Sequence, residues 1–274
     1  MKLDNCSALI TGPSAGIGRE FARQLAGCAR SLVLVARRGE CLELLQTELT
    51  NRNPGLTVHI RIVDLAEPVQ LESLVCWLDQ NQIEIDLLIN NAGLGDLGLF
   101  ATSDPTRNRQ IMAVNMVALT DLTRALLPKM IARRHGAILN VSSSAGFLPI
   151  AGFAVYAASK AYVNSFSEAL RAELRSAGVS VTTLCPGPIH TEFQEVAKRP
   201  GNEPEHGPEF IHVPVEKVVK DALSALEADR ALVIPGLLMK IGMTLVRLTP
   251  LSILRRGSRL SAKRAESFTP DSSS

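Results

Sequence analysis

Aromatic residues are scarce, at 4% of 274 residues, with one tryptophan and two tyrosines. The core of such a chain is aliphatic, which suits a buried parallel sheet covered by helices. Cysteine is sparse and unpaired. Cys6, Cys28, Cys41, Cys76 and Cys185 form no C-x-x-C pair. This excludes a disulfide framework and a thiolate zinc site, and predicts buried free thiols in a reducing compartment. An excess of one charge is missing too. Twenty-nine basic residues face 27 acidic ones for a net +2, without the basic excess of a nucleic-acid binder. Met1 to Asn5 run directly into a strand pattern with no apolar leader, so a cytoplasmic location is expected.

What is present alternates. Short apolar runs at 7–10, 31–36, 57–62, 87–90, 137–141, 180–185 and 231–234 are separated by helical patterns, among them 68–81, 108–134, 155–177 and 214–228. Repeated strand–helix units predict one α/β domain over 1–266, a doubly wound (Rossmann-type) mostly parallel sheet with helices on both faces. Ligands of such sheets collect at the carboxyl ends of the strands. The polar and glycine-rich segments of this chain fall at those ends.

The first strand leads into Thr11-Gly12-Pro13-Ser14-Ala15-Gly16-Ile17-Gly18 and then a helix. Glycines there permit a tight turn and let backbone N–H groups approach a pyrophosphate at the helix N-terminus. The second strand ends in Ala36-Arg37-Arg38. An NAD site usually carries an acid here for the ribose hydroxyl, whereas arginines suit a 2′-phosphate. The reading is NADP(H) favoured over NAD(H), with Ser14 adding a hydroxyl.

Tyr156 and Lys160 lie four residues apart in a helical pattern and so share one face. An ammonium beside a phenol is expected to lower the tyrosine pKa from about 10 and fit it for proton exchange with a substrate. Residues 194–213 are polar and rich in Pro, Gly and Glu, and are expected to form a flap over a site. The apolar stretch 235–249 is interrupted by Lys240 and Arg247 and followed by Pro250, too short and punctuated to cross a membrane. It is expected to pack on the domain or on another subunit; an interfacial membrane contact through this helix and the basic residues after it is the alternative. His190, His206 and His212 form no ligand cluster, and no metal site is assigned. A disordered tail is expected over 267–274.

Together, the Thr11–Gly18 turn, Asp64, Asn90-Asn91-Ala92-Gly93, Asn115, Ser143, Tyr156-x-x-x-Lys160, Pro186-Gly187 and Thr191 resemble, in order and spacing, the short-chain dehydrogenase/reductase family over roughly residues 5–192. The resemblance implies about seven parallel strands and a nicotinamide cofactor that carries the hydride. Tyr156 would be the general acid/base. Ser143, with Ser142 second by spacing, would hold the carbonyl oxygen. Lys160 would bind the nicotinamide ribose, and Asn115 would anchor a water behind it. Gly12, Ser14, Gly16, Ile17, Gly18, Arg37, Arg38, Asp64, Leu65, Asn91, Ala92, Gly93, Pro186, Gly187, Ile189 and Thr191 would line the cofactor. Asp64 would take the adenine amino group, and Ile189 and Thr191 the carboxamide.

Departures from the family pattern are Pro13 in the glycine turn, Ala15 in place of a basic residue, and Ala118 where a glycine often follows the helix asparagine. The implied activity interconverts a ketone or aldehyde and an alcohol. The resemblance is nearest to members acting on lipophilic carbonyls, with Leu94, Leu97, Leu99, Phe100, Phe147, Leu148, Ile150 and Phe153 as candidate lining. A non-catalytic NADP-binding sensor or scaffold is the alternative on the same fold; retention of the Ser, Tyr and Lys together argues for an enzyme. The resemblance also implies a homo-dimer or homo-tetramer, built on the long helices.

Overall fold

A computed structural model describes residues 2–189, 191–199, 212–250 and 252–255. The flap expected at 194–213 is described at its two ends only, and the expected tail at 267–274 lies outside the described residues, as do His190 and His206. Seven strands form one parallel sheet: β1 (Ser7–Thr11), β2 (Ser31–Ala36), β3 (Thr57–Ile62), β4 (Leu87–Asn90), β5 (Gly136–Val141), β6 (Val179–Leu184) and β7 (Leu232–Val233). Their order is β3-β2-β1-β4-β5-β6-β7. The order reverses between β1 and β4, which opens a crevice at their carboxyl ends.

The helices are α1 (Gly16–Leu25), α2 (Gly39–Arg52), α3 (Pro68–Gln80), α4 (Pro105–Met112), α5 (Leu119–Arg133), α6 (Ala154–Leu174), α7 (Glu192–Ala197), α8 (Val215–Glu227) and α9 (Leu237–Leu248). Strands β1, β2, β4 and β5 are buried along their whole length. Their side chains alternate between two aliphatic cores. One packs Ile10, Leu32 and Leu34 against Phe21, Leu25 and Val219. The other packs Leu9, Val33 and Leu88 against Leu74, Ile111 and Leu122. Runs apolar on both faces are what a sheet covered on both sides requires.

The stretch expected as one helix over 108–134 is not uniform. It begins at Pro105, capped by the Asp104 carboxylate, which accepts from Thr106 N–H. A π-helical turn, Ala113–Ala118, then separates α4 from α5. Wide turns of this kind interrupt the regular ladder and gather at functional sites. Asn115 sits in this one. The five cysteines are free, but only Cys6 and Cys185 are buried; Cys28 and Cys41 are half-buried and Cys76 is exposed, which corrects the expectation that all are buried.

Candidate active site

The glycine turn lies at the carboxyl end of β1. Gly12 adopts φ +69°, and a Cβ there would stand 2.9 Å from the Ala92 Cα. At Gly18 a Cβ would stand 2.4 Å from both the Asn91 Nδ2 and the Gly12 carbonyl oxygen. The turn is therefore packed tightly against the strand that follows the topological switch. Thr11 and Asn91 hold it. Thr11 Oγ1 donates to the Ile89 carbonyl and accepts from the N–H groups of Asn91 and Ala92. The Asn91 amide donates to the carbonyls of Thr11 (2.9 Å) and Gly12 (3.1 Å). Asn91 was expected to line the cofactor; its side chain braces the turn.

The first N–H groups of α1 receive no side-chain cap. A helix N-terminus with open donors behind a glycine turn fits a pyrophosphate. Pro13 does not disturb this arrangement. Ile17 packs against the core, and Leu65 and Ile189 are buried within it, so these three offer backbone rather than side chain to a ligand.

At the end of β2 the two arginines differ. Arg38 donates from Nη2 and Nε to Ser14 Oγ, at 3.0 and 3.3 Å, and from Nη1 to Glu192 Oε2 at 2.9 Å. Arg37 faces the Asp64 carboxylate at 3.6 Å. Asp64 also accepts from the Ala66 N–H at 2.9 Å. Arg38 and Ser14 thus form a half-exposed guanidinium–hydroxyl pair beside the glycine turn, a donor set that suits a phosphate monoester.

The second half of the site is built on β5 and α6. Ser142 and Ser143 follow β5 but differ in role. Ser142 is buried and donates to the Lys160 carbonyl at 2.9 Å. Ser143 is half-buried, accepts from the Ala145 N–H at 3.1 Å, and its hydroxyl acts to lower the pKa of the Tyr156 phenol. Ser142 is thus engaged with the backbone of α6, whereas Ser143 faces Tyr156.

Tyr156 is 8% exposed. Burial pushes its pKa up to about 12, with the Ser143 hydrogen bond acting the other way. The expected lowering by Lys160 does not hold for the protein alone. The Lys160 Nζ lies 5.7 Å from the centre of the Tyr156 ring and donates to the Val141 carbonyl at 2.9 Å. Burial lowers the pKa of Lys160 itself to about 8. A neutral phenol held on a serine hydroxyl is nevertheless a competent proton donor.

Asn115 is 1% exposed. Its Oδ1 accepts from the Leu94 N–H at 2.8 Å, and its Nδ2 donates to the Leu94 carbonyl and to Ser159 Oγ, both at 2.9 Å. The side chain clamps the segment after Gly93 to α6, and its amide hydrogens are fully engaged. A Cβ on Gly93 would lie 3.4 Å from the Lys160 Nζ, so the clamped segment borders the lysine. Pro186 accepts from the Ser144 N–H, Gly187 packs against Met239, and Thr191 approaches Gly16. Thr191 begins α7, but its hydroxyl does not cap the helix.

Two groups escaped the sequence reading. Phe193, just before the segment read as a polar flap, lies in the short helix α7 with its ring 5.3 Å from that of Tyr156. An aromatic side chain within Glu192–Ala197 was the available signal. Ser159, inside the Tyr156–Lys160 spacing, links Asn115 to the Tyr156 carbonyl. Of the expected apolar lining, Phe153 stacks on Tyr156 at 4.3 Å. Leu94 belongs to the core and Phe100 is 65% exposed, so these two do not join it.

The sequence matches the family model described as short chain dehydrogenase over residues 7–200. It is 37% identical over 193 residues to dehydrogenase/reductase SDR family member 7B of Bos taurus, covering 69% of this chain and 59% of that protein. Against sulfoacetaldehyde reductase of Chromohalobacter salexigens it is 41% identical over 186 residues, covering 67% and 72%. Among solved structures, the short-chain dehydrogenase from Sphingobium yanoikuyae in complex with NADPH superposes with a TM-score of 0.77 at 29% identity, covering 98% of both chains. The fold, the glycine turn and these matches agree: this chain belongs to the short-chain dehydrogenase/reductase family. The match spans about 59% of the length of the bovine relative.

Proposed function

We propose that the protein is an NADP(H)-dependent oxidoreductase that interconverts a carbonyl and an alcohol. The observation that carries the reading is Tyr156, buried between the rings of Phe153 and Phe193, with the Lys160 Nζ 5.7 Å from its ring centre. The nicotinamide supplies the hydride. Ser143 holds the substrate oxygen, and Tyr156 delivers a proton to that oxygen in the reducing direction and takes it back in the other. Lys160 in its charged form stabilises a phenolate left on Tyr156. Asn115 keeps the segment beside Lys160 in place. The Arg38–Ser14 pair favours the 2′-phosphate of NADP(H), in line with the NADPH bound by the Sphingobium yanoikuyae protein.

The substrate side is apolar. The Phe153 and Phe193 rings flank Tyr156, and Gly95 lies against both together with Ala197. This supports a lipophilic carbonyl. A small anionic aldehyde, such as the name of the Chromohalobacter salexigens relative indicates for that protein, calls for a cation facing Tyr156. The neighbouring cations are engaged: Arg199 is paired with Asp96 at 2.6 and 2.8 Å, and Arg107 donates to the Gly95 and Val196 carbonyls. Self-association through α5 and α6 is supported by Tyr162, which is exposed and bonded to Thr120.

The test is NADPH oxidation with a panel of aldehydes and ketones of rising apolar size, for the native protein and Tyr156→Phe. Loss of turnover in Tyr156→Phe with NADPH binding retained supports the mechanism; undiminished turnover ends it. Turnover of small hydrophilic carbonyls alone ends the lipophilic assignment.

A further inference from the structure

Helix α9 contains no buried residue. Its inner side is attached at few points: Met239 packs on Gly187, and the Arg247 guanidinium stands 5.6 Å from the centre of the Phe147 ring. Its outer side is apolar. Leu237, Leu238, Ile241, Leu245 and Leu248 are 73%, 58%, 50%, 61% and 76% exposed. At about 100° per residue these five fall within an arc of roughly 100°. Lys240 and Arg247, seven residues apart, lie along one flank of that arc, Arg247 turned in toward Phe147 and Lys240 exposed. An exposed apolar stripe edged by a lysine is the geometry of a helix lying in a lipid interface.

The charge of the segment selects the occupant. Between positions 231 and 265 the chain has seven basic residues and no acidic one, so its net +2 would be −5 without them. A second copy laid symmetrically on this face would oppose one basic segment with another. A surface bearing anionic headgroups over an apolar layer satisfies both features at once. We propose that α9 docks the protein on an anionic lipid surface, with Leu237, Ile241, Leu245 and Leu248 entering the acyl boundary and Lys240 meeting the headgroups. The inference concerns where the protein resides and does not depend on the carbonyl chemistry. The contact with Phe147 and Gly187 places the lipid surface beside the candidate active site.

The experiment is flotation of the full chain with vesicles of equal parts phosphatidylglycerol and phosphatidylcholine, and with phosphatidylcholine alone. Mass in solution is followed by light scattering. The native protein is expected to float with the anionic vesicles and to be released by high salt. Ile241→Asp combined with Leu245→Asp is expected to weaken partitioning by roughly tenfold or more while leaving the thermal midpoint unchanged. Lys240→Glu, which leaves the apolar stripe intact, is expected to weaken it less and to reduce the salt dependence. Absence of flotation by the native protein overturns the proposal, as does equal binding to neutral vesicles or by the double variant. A fall in solution mass in the double variant without vesicle binding by the native protein assigns the face to a second copy instead.

Discussion

Replacing Asn115 by alanine tests the clamp that holds the segment beside Lys160. The asparagine side chain makes three hydrogen bonds in a site 1% exposed. Asn115→Ala removes all three and strands the N–H and carbonyl of Leu94, which is itself buried. Each of the two stranded buried groups costs about 1–3 kcal/mol, so the loss is about 2–6 kcal/mol. Ser159 keeps its bond to the Tyr156 carbonyl and adds little. For a chain of this size that lowers the midpoint of thermal unfolding by roughly 5–15 °C. The assay is urea and thermal unfolding beside Asn81→Ala, an exposed asparagine whose single side-chain bond goes to the Trp77 carbonyl. A loss no greater than that of Asn81→Ala would refute the clamp. Because Gly93 borders both Asn115 and Lys160, NADPH binding is expected to weaken along with stability.

Three further outcomes follow from the same geometry. Arg38→Ala removes the guanidinium bonded to Ser14 and should raise the Kd for NADPH by about 10–100-fold while leaving NADH nearly unchanged; equal weakening of both, by fluorescence titration, would deny the phosphate role. Gly12→Ala forces a Cβ into a φ of +69° and to 2.9 Å from the Ala92 Cα, so both stability and dinucleotide affinity should fall; unchanged NADPH affinity would count against the turn as a pyrophosphate cradle. Lys160 titrates at about 8 when folded and near 10.5 otherwise, so between these values the unfolded chain holds the extra proton and stability rises with pH. Up to about 3 kcal/mol separates the two limits. Native protein should therefore gain stability relative to Lys160→Met between pH 7 and 10 in urea titrations, and a flat difference would contradict the burial of its charge. Tyr156 acts with the opposite sign: its folded pKa of about 12 exceeds the ordinary 10, and its contribution is lost above pH 10.

The strands were legible because their residues are apolar on both faces, and all seven observed spans agree with the runs to within a residue at either end. The glycine turn was legible because tight turns leave few residue choices. The π-helical turn at Ala113–Ala118 was not, because its apolar side chains continue the spacing of an ordinary helix. The seventh strand is short, Leu232–Val233, and lies at the edge of the sheet.

By itself the sequence determined which residues are available: a phenol and an ammonium one helical turn apart, a serine thirteen residues earlier, arginines where an acid often stands. These are properties of spacing along one chain. Only the tertiary structure decided how each is used, because use depends on partners distant in sequence. Burial among Phe153, Phe193 and Ser143 makes Tyr156 a neutral acid rather than a phenol lowered by Lys160. The Lys160 carbonyl engages Ser142 and leaves Ser143 beside Tyr156. Asp64 across the strand end faces Arg37, whereas Ser14 turns Arg38 toward the glycine turn. Dielectric and hydrogen-bond geometry are set by what the fold brings together, and neither is written in any one stretch of the chain.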